Sequence, residues 1–477
     1  MSRSLLQGAA ALTLALGVAA CSVGPDFEAP KAPDQTVYTA DPVAPPADQR
    51  FAEGEKLRAD WWALLQSPAL DQVVDQAVAG NWTLAGVKAR LARSSEGIRI
   101  AGAKLYPQID ASTDIARNQY GASFLGPQAK GFPLFSAYSA GATVSYDFDL
   151  FGKNRRSVEQ AEAAAEIQQQ QVEAAVLTLT GNVALQAVQI ASLKGQLAVV
   201  DRILESDRQT LALVRAARGT GGVTDIDVLA AQSQLDRDET LVSPLRQQLA
   251  AAKDALATLV GKSPAEFQTP DFTLEGFTLP ADLPVAVPSL LVRTRPDIRA
   301  AEAQLHEASA AIGIAEAAFY PDISLSGSLA EQGLTGGPAG TAWGLLGGVT
   351  LPIFHGGELT AQKKAAEDSY QESLADYRQT VVSAFGQVAD TLYALGNDSD
   401  QLATETRSVA SSSASLRLTR LGYGVGNASV VQVLDAQRQT EQSELGAVQA
   451  RAQRFTDTIK LFLAMGGGRI AGANPSL

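Results

Sequence analysis

Residues 97–107 read GIRIAGAKLYP, and residues 311–321, at an offset of 214, read AIGIAEAAFYP. Ile98, Ile100, Ala101, Ala103, Tyr106 and Pro107 fall on Ile312, Ile314, Ala315, Ala317, Tyr320 and Pro321. At an offset of 205, Arg215, Gly219, Gly221, Val228, Leu229, Ala231, Gln232 and Glu239 fall on Arg420, Gly424, Gly426, Val433, Leu434, Ala436, Gln437 and Glu444. Two matches in the same order mark a tandem duplication. The change of offset leaves roughly nine extra residues in the first copy, and Gly126 to Pro133 is the expected loop that holds them. The first copy is expected over residues 59–261 and the second over 289–466, joined by a Pro-rich linker at 262–288.

Both copies follow one grammar. A helix, expected over 71–103 and again over 296–318, stops at a Tyr-Pro pair, because proline disfavours helix in the residue before it. Two strands follow in each copy, near 107–118 and 139–150 and then near 321–330 and 343–354. Ile109, Ala111, Thr113 and Ile115 alternate with Gln108, Asp110, Ser112 and Asp114, and Ala142, Val144, Tyr146 and Phe148 alternate with Thr143, Ser145 and Asp147. In the second copy Ile323, Leu325 and Leu329 alternate with serines, and Trp343, Leu345, Val349, Leu351 and Ile353 share a face. Period-two alternation gives a strand with one apolar and one polar side, which suits a soluble sandwich or a membrane barrel.

The helices weigh against the sandwich. Residues 153–217 contain no proline and are rich in Ala, Gln, Glu and Leu, and 358–422 behave alike. Each would run on the order of 100 Å at 1.5 Å per residue. A Gly-rich turn follows (Gly219 to Gly222, Gly424 to Asn427), and a second helix returns. If the strands enter lipid, four cannot close a barrel, since single-chain barrels start at eight. An open edge in lipid leaves backbone groups unpaired at several kcal/mol each. Copies of the chain must then share one barrel.

Composition removes other classes. The chain has 477 residues, 46% hydrophobic and 19% charged, with 38 basic and 51 acidic side chains and a net charge of -13. A nucleic-acid surface needs clustered cations, and no basic run exists. His306 and His355 are the two histidines, little material for a zinc or histidine-based catalytic centre. Gly219 to Gly222 lacks the Lys-Ser or Lys-Thr of a phosphate-binding loop. No enzyme, cofactor or metal site is expected. Residues 1–20 have one Arg, an apolar stretch and small residues, the layout of a signal peptide. Cys21, the single cysteine, follows Val18-Ala19-Ala20. This resembles the lipobox of bacterial lipoproteins, which implies S-diacylglycerol and N-palmitoyl groups on Cys21. Ser22 after it, rather than Asp, implies sorting to the outer membrane. Residues 21–58 are Pro- and Asp-rich and are expected to run extended.

CSVGPDFEAP, LLVRTRPDIRAAEAQL, IGIAEAAFYPDISLSGSLA, LPIFHGGELTAQ and VLDAQRQ occur in that order. Together they resemble the TolC-like outer-membrane factors, in particular the NodT-type lipoproteins of resistance-nodulation-division efflux systems, over essentially the whole mature chain. The resemblance implies a mixed α and β, elongated fold. A trimeric transmembrane β-barrel, four strands per chain, continues as a long periplasmic α-helical barrel with an equatorial belt at 262–288 and a C-terminal tail at 467–477. It implies a homotrimer in the outer membrane with a periplasmic adaptor and an inner-membrane pump as partners. The implied work is that of the exit duct expelling drugs or other small toxic compounds. It also implies a gate: Tyr423 bonded to Asp227, with Asp435 as the constriction carboxylate and Arg438 as the basic residue after it. Asn427 and Gln432 depart from the gate pattern, standing where some members carry Arg and Asp. Alternatively, Asp435 and Arg438 are ordinary solvated helix charges, or a neighbouring ion pair worth ~0.3–0.5 kcal/mol. A type I secretion or cation-export duct, or a non-conducting periplasmic stalk, would share much of this sequence grammar.

Overall fold

The computed structural model describes residues 22–119 and 134–467. The signal peptide, the lipid site Cys21, the loop at Gly126 to Pro133 and nearly all of the tail lie outside them. The chain divides into two compact units, and each draws on both copies of the duplication. One holds the segment up to Pro30 with Arg90–Gln169 and Ala300–Arg378; the other holds Lys31–Ala89, Gln170–Arg299 and Gln379–Leu477.

In the first unit the ends of two equivalent helices lead into a sheet. The helices, α2 (Trp82–Ala103) and α7 (Pro296–Ala317), stop just short of the two Tyr-Pro pairs. The strands β2 (Gln108–Asn118), β3 (Phe135–Phe148), β5 (Asp322–Leu334) and β6 (Ala339–Thr350) form an antiparallel sheet in that order. The second strand of each copy starts four residues before its expected position and ends before Leu150, Leu351 and Ile353. Register sorts the side chains. Asp110 opposes Thr143, Thr143 opposes Ser328, and Ser324 opposes Asp147. Ile109 opposes Val144, and Leu329 opposes Trp343. Successive side chains alternate between faces. One face therefore carries Asp110, Asp114, Asp147, Asp322, Ser112, Ser145, Ser324, Ser326 and Ser328, while the other carries Ile109, Ile115, Val144, Leu325, Trp343, Leu345 and Val349. That apolar face is bare: Ile115 is 83% exposed and Trp343 78%.

The N-terminal segment is pinned onto this unit by one buried arginine. Arg156 donates to the carbonyls of Val23 and Gly24 and to the Asp26 carboxylate at 3.3, 3.2 and 2.9 Å. Its other terminal nitrogen donates to Glu159 at 2.7 Å, and Glu159 also meets His306 at 2.9 Å. Phe27 stacks on the His306 ring with 4.5 Å between centroids. Gly24, at φ +90°, lies so close to Gly313 that an added Cβ would sit 2.5 Å from the Gly313 Cα.

The second unit has the denser core. The helix expected over 71–103 is two helices, α1 (Pro68–Gly80) and α2, because Asn81 takes an extended conformation and its side-chain oxygen accepts from the Leu84 N–H. Proline opens α1 at a position where no backbone donor is needed. Leu70, Val73, Val74 and Ala77 of α1 are buried, as are Leu256, Ala257 and Val260 of α5 (Val242–Val260), which α1 contacts. Burying each large aliphatic side chain is worth about 1.5–3 kcal/mol. Trp61 packs on Phe462, and Phe277 on Phe272 and Phe455. A parallel pair, β1 (Arg50–Glu53) with β4 (Asp282–Val285), joins the extended N-terminal segment to the inter-copy linker. Arg454 adds a two-point bond to Asp48.

Two helices of 67 residues pass through both units, α3 (Lys153–Gly219) and α8 (Glu358–Gly424). Their ends are offset by the 205 positions of the repeat. Among the described residues α3 alone is long and apolar enough to cross a membrane, but 56% of its apolar window is buried inside the fold, as in a packed core helix. The returning helix is α4 (Asp225–Glu239) followed by α5 in the first copy, with Pro244 in the opening turn of α5. In the second copy, which has no such proline, α9 (Val430–Ala464) runs unbroken. The short α6 (Pro288–Thr294) precedes α7.

Candidate gate at the ends of the helical hairpins

Each long helix ends in the same turn. Gly221 and Gly426 take left-handed φ of +78° and +79°, the conformation glycine adopts without Cβ strain. Gly222 and Asn427 then donate to the carbonyls of Ala217 and Gly422 at 2.9 and 2.8 Å. The Gly-rich turn is thus a helix C-cap that satisfies orphan carbonyls.

The next helix opens on a capping box in both copies. In the first, Thr224 N–H donates to Asp227 Oδ2 at 2.8 Å while Asp227 N–H reaches back to Thr224 Oγ1. In the second, Ser429 and Gln432 make the reciprocal pair. Asp227 and Gln432 therefore fill the same structural post, which accounts locally for Gln432. A Thr-x-x-Asp or Ser-x-x-Gln just before an apolar run is a readable signal for this cap. The bond to the Thr224 backbone, more than that to its hydroxyl, holds the Asp227 carboxyl below its ordinary range.

Between the hairpin arms lies an apolar cluster of Val200, Leu204, Leu211 and Val214 from α3, Ala231 and Leu235 from α4, and Val430 and Leu434 from α9. Tyr423 packs against it. Its hydroxyl is buried with no hydrogen-bond partner among the described residues, and Tyr423 lines a cavity of about 150 Å³ with Thr210, Val214, Arg420 and Val433. Burial, and then the charge of Asp227, raise the Tyr423 pKa. The structure thus brings Tyr423 within electrostatic reach of Asp227 without bonding them. Asp435 and Arg438 pair with each other one turn apart on α9 at 2.6 Å, both about half exposed, and Gln439 donates to the same carboxylate. An exposed helix pair of this kind is worth about 0.3–0.5 kcal/mol.

The sequence reading passed over a set of buried carboxyl groups. Asp207 on α3 is in phase with Val200, Leu204, Leu211 and Val214, a core stripe, and is buried, as is Asp238 on α4. Gln437 donates to Asp207 at 3.1 Å and Gln234 to Asp238 at 2.6 Å. Asp398 on α8 and Asp457 on α9 form a second buried pair, with Lys460 donating to Asp457 at 2.9 Å. A carboxylate at the apolar phase of a helix was the available signal.

Comparison with known proteins agrees with this architecture. The family model described as outer membrane efflux protein matches residues 73–262 and 287–467. Outer membrane protein OprJ of Pseudomonas aeruginosa is 30% identical over 472 residues, covering 97% of this chain and 96% of that one. The probable outer membrane lipoprotein SilC of Salmonella typhimurium is 28% identical over 454 residues, covering 94% and 95%. The solved structure of the outer-membrane channel OprN superposes with a TM-score of 0.85 at 25% identity, over 94% of this chain and 99% of that one. With the family model spanning both copies of the duplication, the chain belongs to the outer membrane efflux proteins, a family of channels seated in the outer membrane.

Proposed function

We propose that three copies of this chain form the exit duct of a tripartite efflux pump, with a periplasmic adaptor and an inner-membrane pump as its partners. The observation that supports the reading is the sheet. Its apolar face is exposed, its other face is polar, and among the described residues its outer strands β2 and β6 each leave one edge without a partner. In lipid such edges need closing. Pairing β6 of one copy with β2 of the next, three times over, closes twelve strands into a barrel with the carboxylates and serines of the polar face lining the lumen. Cys21 carries the acyl chains that hold the product in the outer membrane. Asp227, Tyr423, Asp435 and Arg438 are the residues of the gate. The duct performs no chemistry, and the pump chooses what is exported.

The test is mass and conductance on the acylated protein. Purified in mild detergent, it should scatter light as three chains and conduct ions in planar bilayers. A lone, non-conducting subunit would overturn the proposal. A deletion strain should become sensitive to antibiotics or detergents rather than lose a secreted protein.

A further inference from the structure

Two buried carboxylate oxygens on the long helices have no hydrogen-bond partner among the described residues, Asp207 Oδ2 and Asp398 Oδ2. Each belongs to an aspartate that faces another aspartate on the returning helix: Asp207 faces Asp238, and Asp398 faces Asp457. Two bare carboxylates in contact offer acceptors only and cannot bond one another. A single proton placed between them supplies the missing donor and halves the buried charge. We infer that each pair shares one proton, and that losing it loosens the returning helix from the long helix beside it.

The surroundings favour the shared proton. Around Asp207, α4 presents Asp238, α9 presents Glu441 and α8 presents Arg420. Arg420 is itself turned toward the Ser206 hydroxyl. Around Asp398, α9 presents Asp457, Lys460 and Arg454, and Arg454 is already engaged by Asp48 of the N-terminal segment. Burial, then the Asp238 bond and the Glu441 charge, push Asp207 up to about 8. Burial and Asp457 push Asp398 up to about 7. Burial and then Asp238 push Glu441 up to about 7 as well.

The duplication supplies an internal contrast. At the offset of 205, Asp207 and Asp238 fall on Ser412 and Ser443, while Asp398 and Asp457 fall back on Leu193 and Ala252. Each copy thus has one carboxyl pair, and the other copy replaces it with neutral residues. The first pair also connects to the gate. Gln437, which donates to Asp207, accepts from Thr210 at 3.3 Å, and Thr210 lines the cavity beside Tyr423.

The sign follows from linkage. The folded chain keeps protons that an unfolded aspartate releases above pH about 4, so their contribution to stability is complete below that value. It drains as pH rises and is gone once pH passes about 7 for Asp398 and about 8 for Asp207.

The experiment uses the full acylated protein in detergent and needs no pore, so it is separate from the duct reading. Infrared difference spectra between pH 6 and pH 9.5 should show the carbonyl band of protonated carboxyl groups disappearing, and the Asp207→Asn/Asp398→Asn protein should lack most of that change. Hydrogen exchange at the amides of 225–239, corrected for intrinsic rates, should accelerate across the same range in the wild type and not in that variant. The Asp207→Ser/Asp238→Ser protein, which installs the second copy's own solution, should likewise lose the pH dependence at 225–239. A wild type without the protonated band at pH 6 would overturn the shared proton. A band that titrates without any change in exchange would overturn the loosening.

Discussion

The carboxylate of Asp227 closes the first turn of α4 through Thr224, so a substitution there acts on the cap as well as on any gate. Thr224→Ala removes the hydroxyl half of that capping box and leaves the carboxylate with its bond from the backbone N–H of residue 224, at a cost of about 1 kcal/mol. Asp227→Ala is expected to raise single-channel conductance in planar bilayers, and Thr224→Ala to lower thermal stability with conductance unchanged. An equal rise in both would assign the effect to the cap. Tyr423 offers a second discrimination. Its hydroxyl is buried with no partner among the described residues, and removing such a group is close to neutral or stabilising. Tyr423→Phe should leave the melting temperature unchanged or slightly higher, while Tyr423→Ala should open a cavity and raise conductance. A clear loss of stability in Tyr423→Phe would show that the hydroxyl finds a partner after assembly.

Among the elements, the long helices and their turns were legible because nothing in 153–217 interrupts a helix and the glycines at the turn repeat. The break at Asn81 was not. Asparagine at an N-cap is a local signal, and Asn81 does accept from the Leu84 N–H, but the bond from its amide to the Leu259 carbonyl on α5, which helps fix the break, is tertiary and lies outside any local pattern. For Asp207 the helical phase shared with Val200, Leu204, Leu211 and Val214 was readable, but that it faces Asp238 emerges only with the partner helix in place. Strand existence was readable from alternation, while strand ends were not, because Leu351 and Ile353 continue the pattern past Thr350 where pairing stops. The α1–α5 packing gives a stability prediction. Leu256 is fully buried, and Leu256→Ala should cost about 2–5 kcal/mol as a cavity forms, measured by denaturant unfolding of the detergent-solubilised protein.

For the whole molecule, the decisive feature is the two-sidedness of the sheet. Leu345 and Leu346 are almost equally exposed, 71% and 68%, but adjacent strand residues look to opposite faces. Leu345 shares the face of Trp343 and Val349, and Leu346 opposes Ser326 on the polar face. Leu345→Arg should cost about 2–4 kcal/mol if that face meets lipid and should deplete the protein from outer-membrane fractions. Leu346→Arg should still assemble and lower cation conductance instead. Equal tolerance of both would contradict a lipid-facing sheet. The pairing of β3 with β5 has a further consequence. It joins Ala137 to Leu334, so the two halves of the sheet meet only after roughly 200 intervening residues have been delivered. A polypeptide exported N-terminus first must carry its leading hairpin unmatched while the remainder is still being threaded, and closing so distant a contact is slow. The interval before residue 334 emerges is when sticky strand borders stand unguarded, and it is then that a holding chaperone has most to protect.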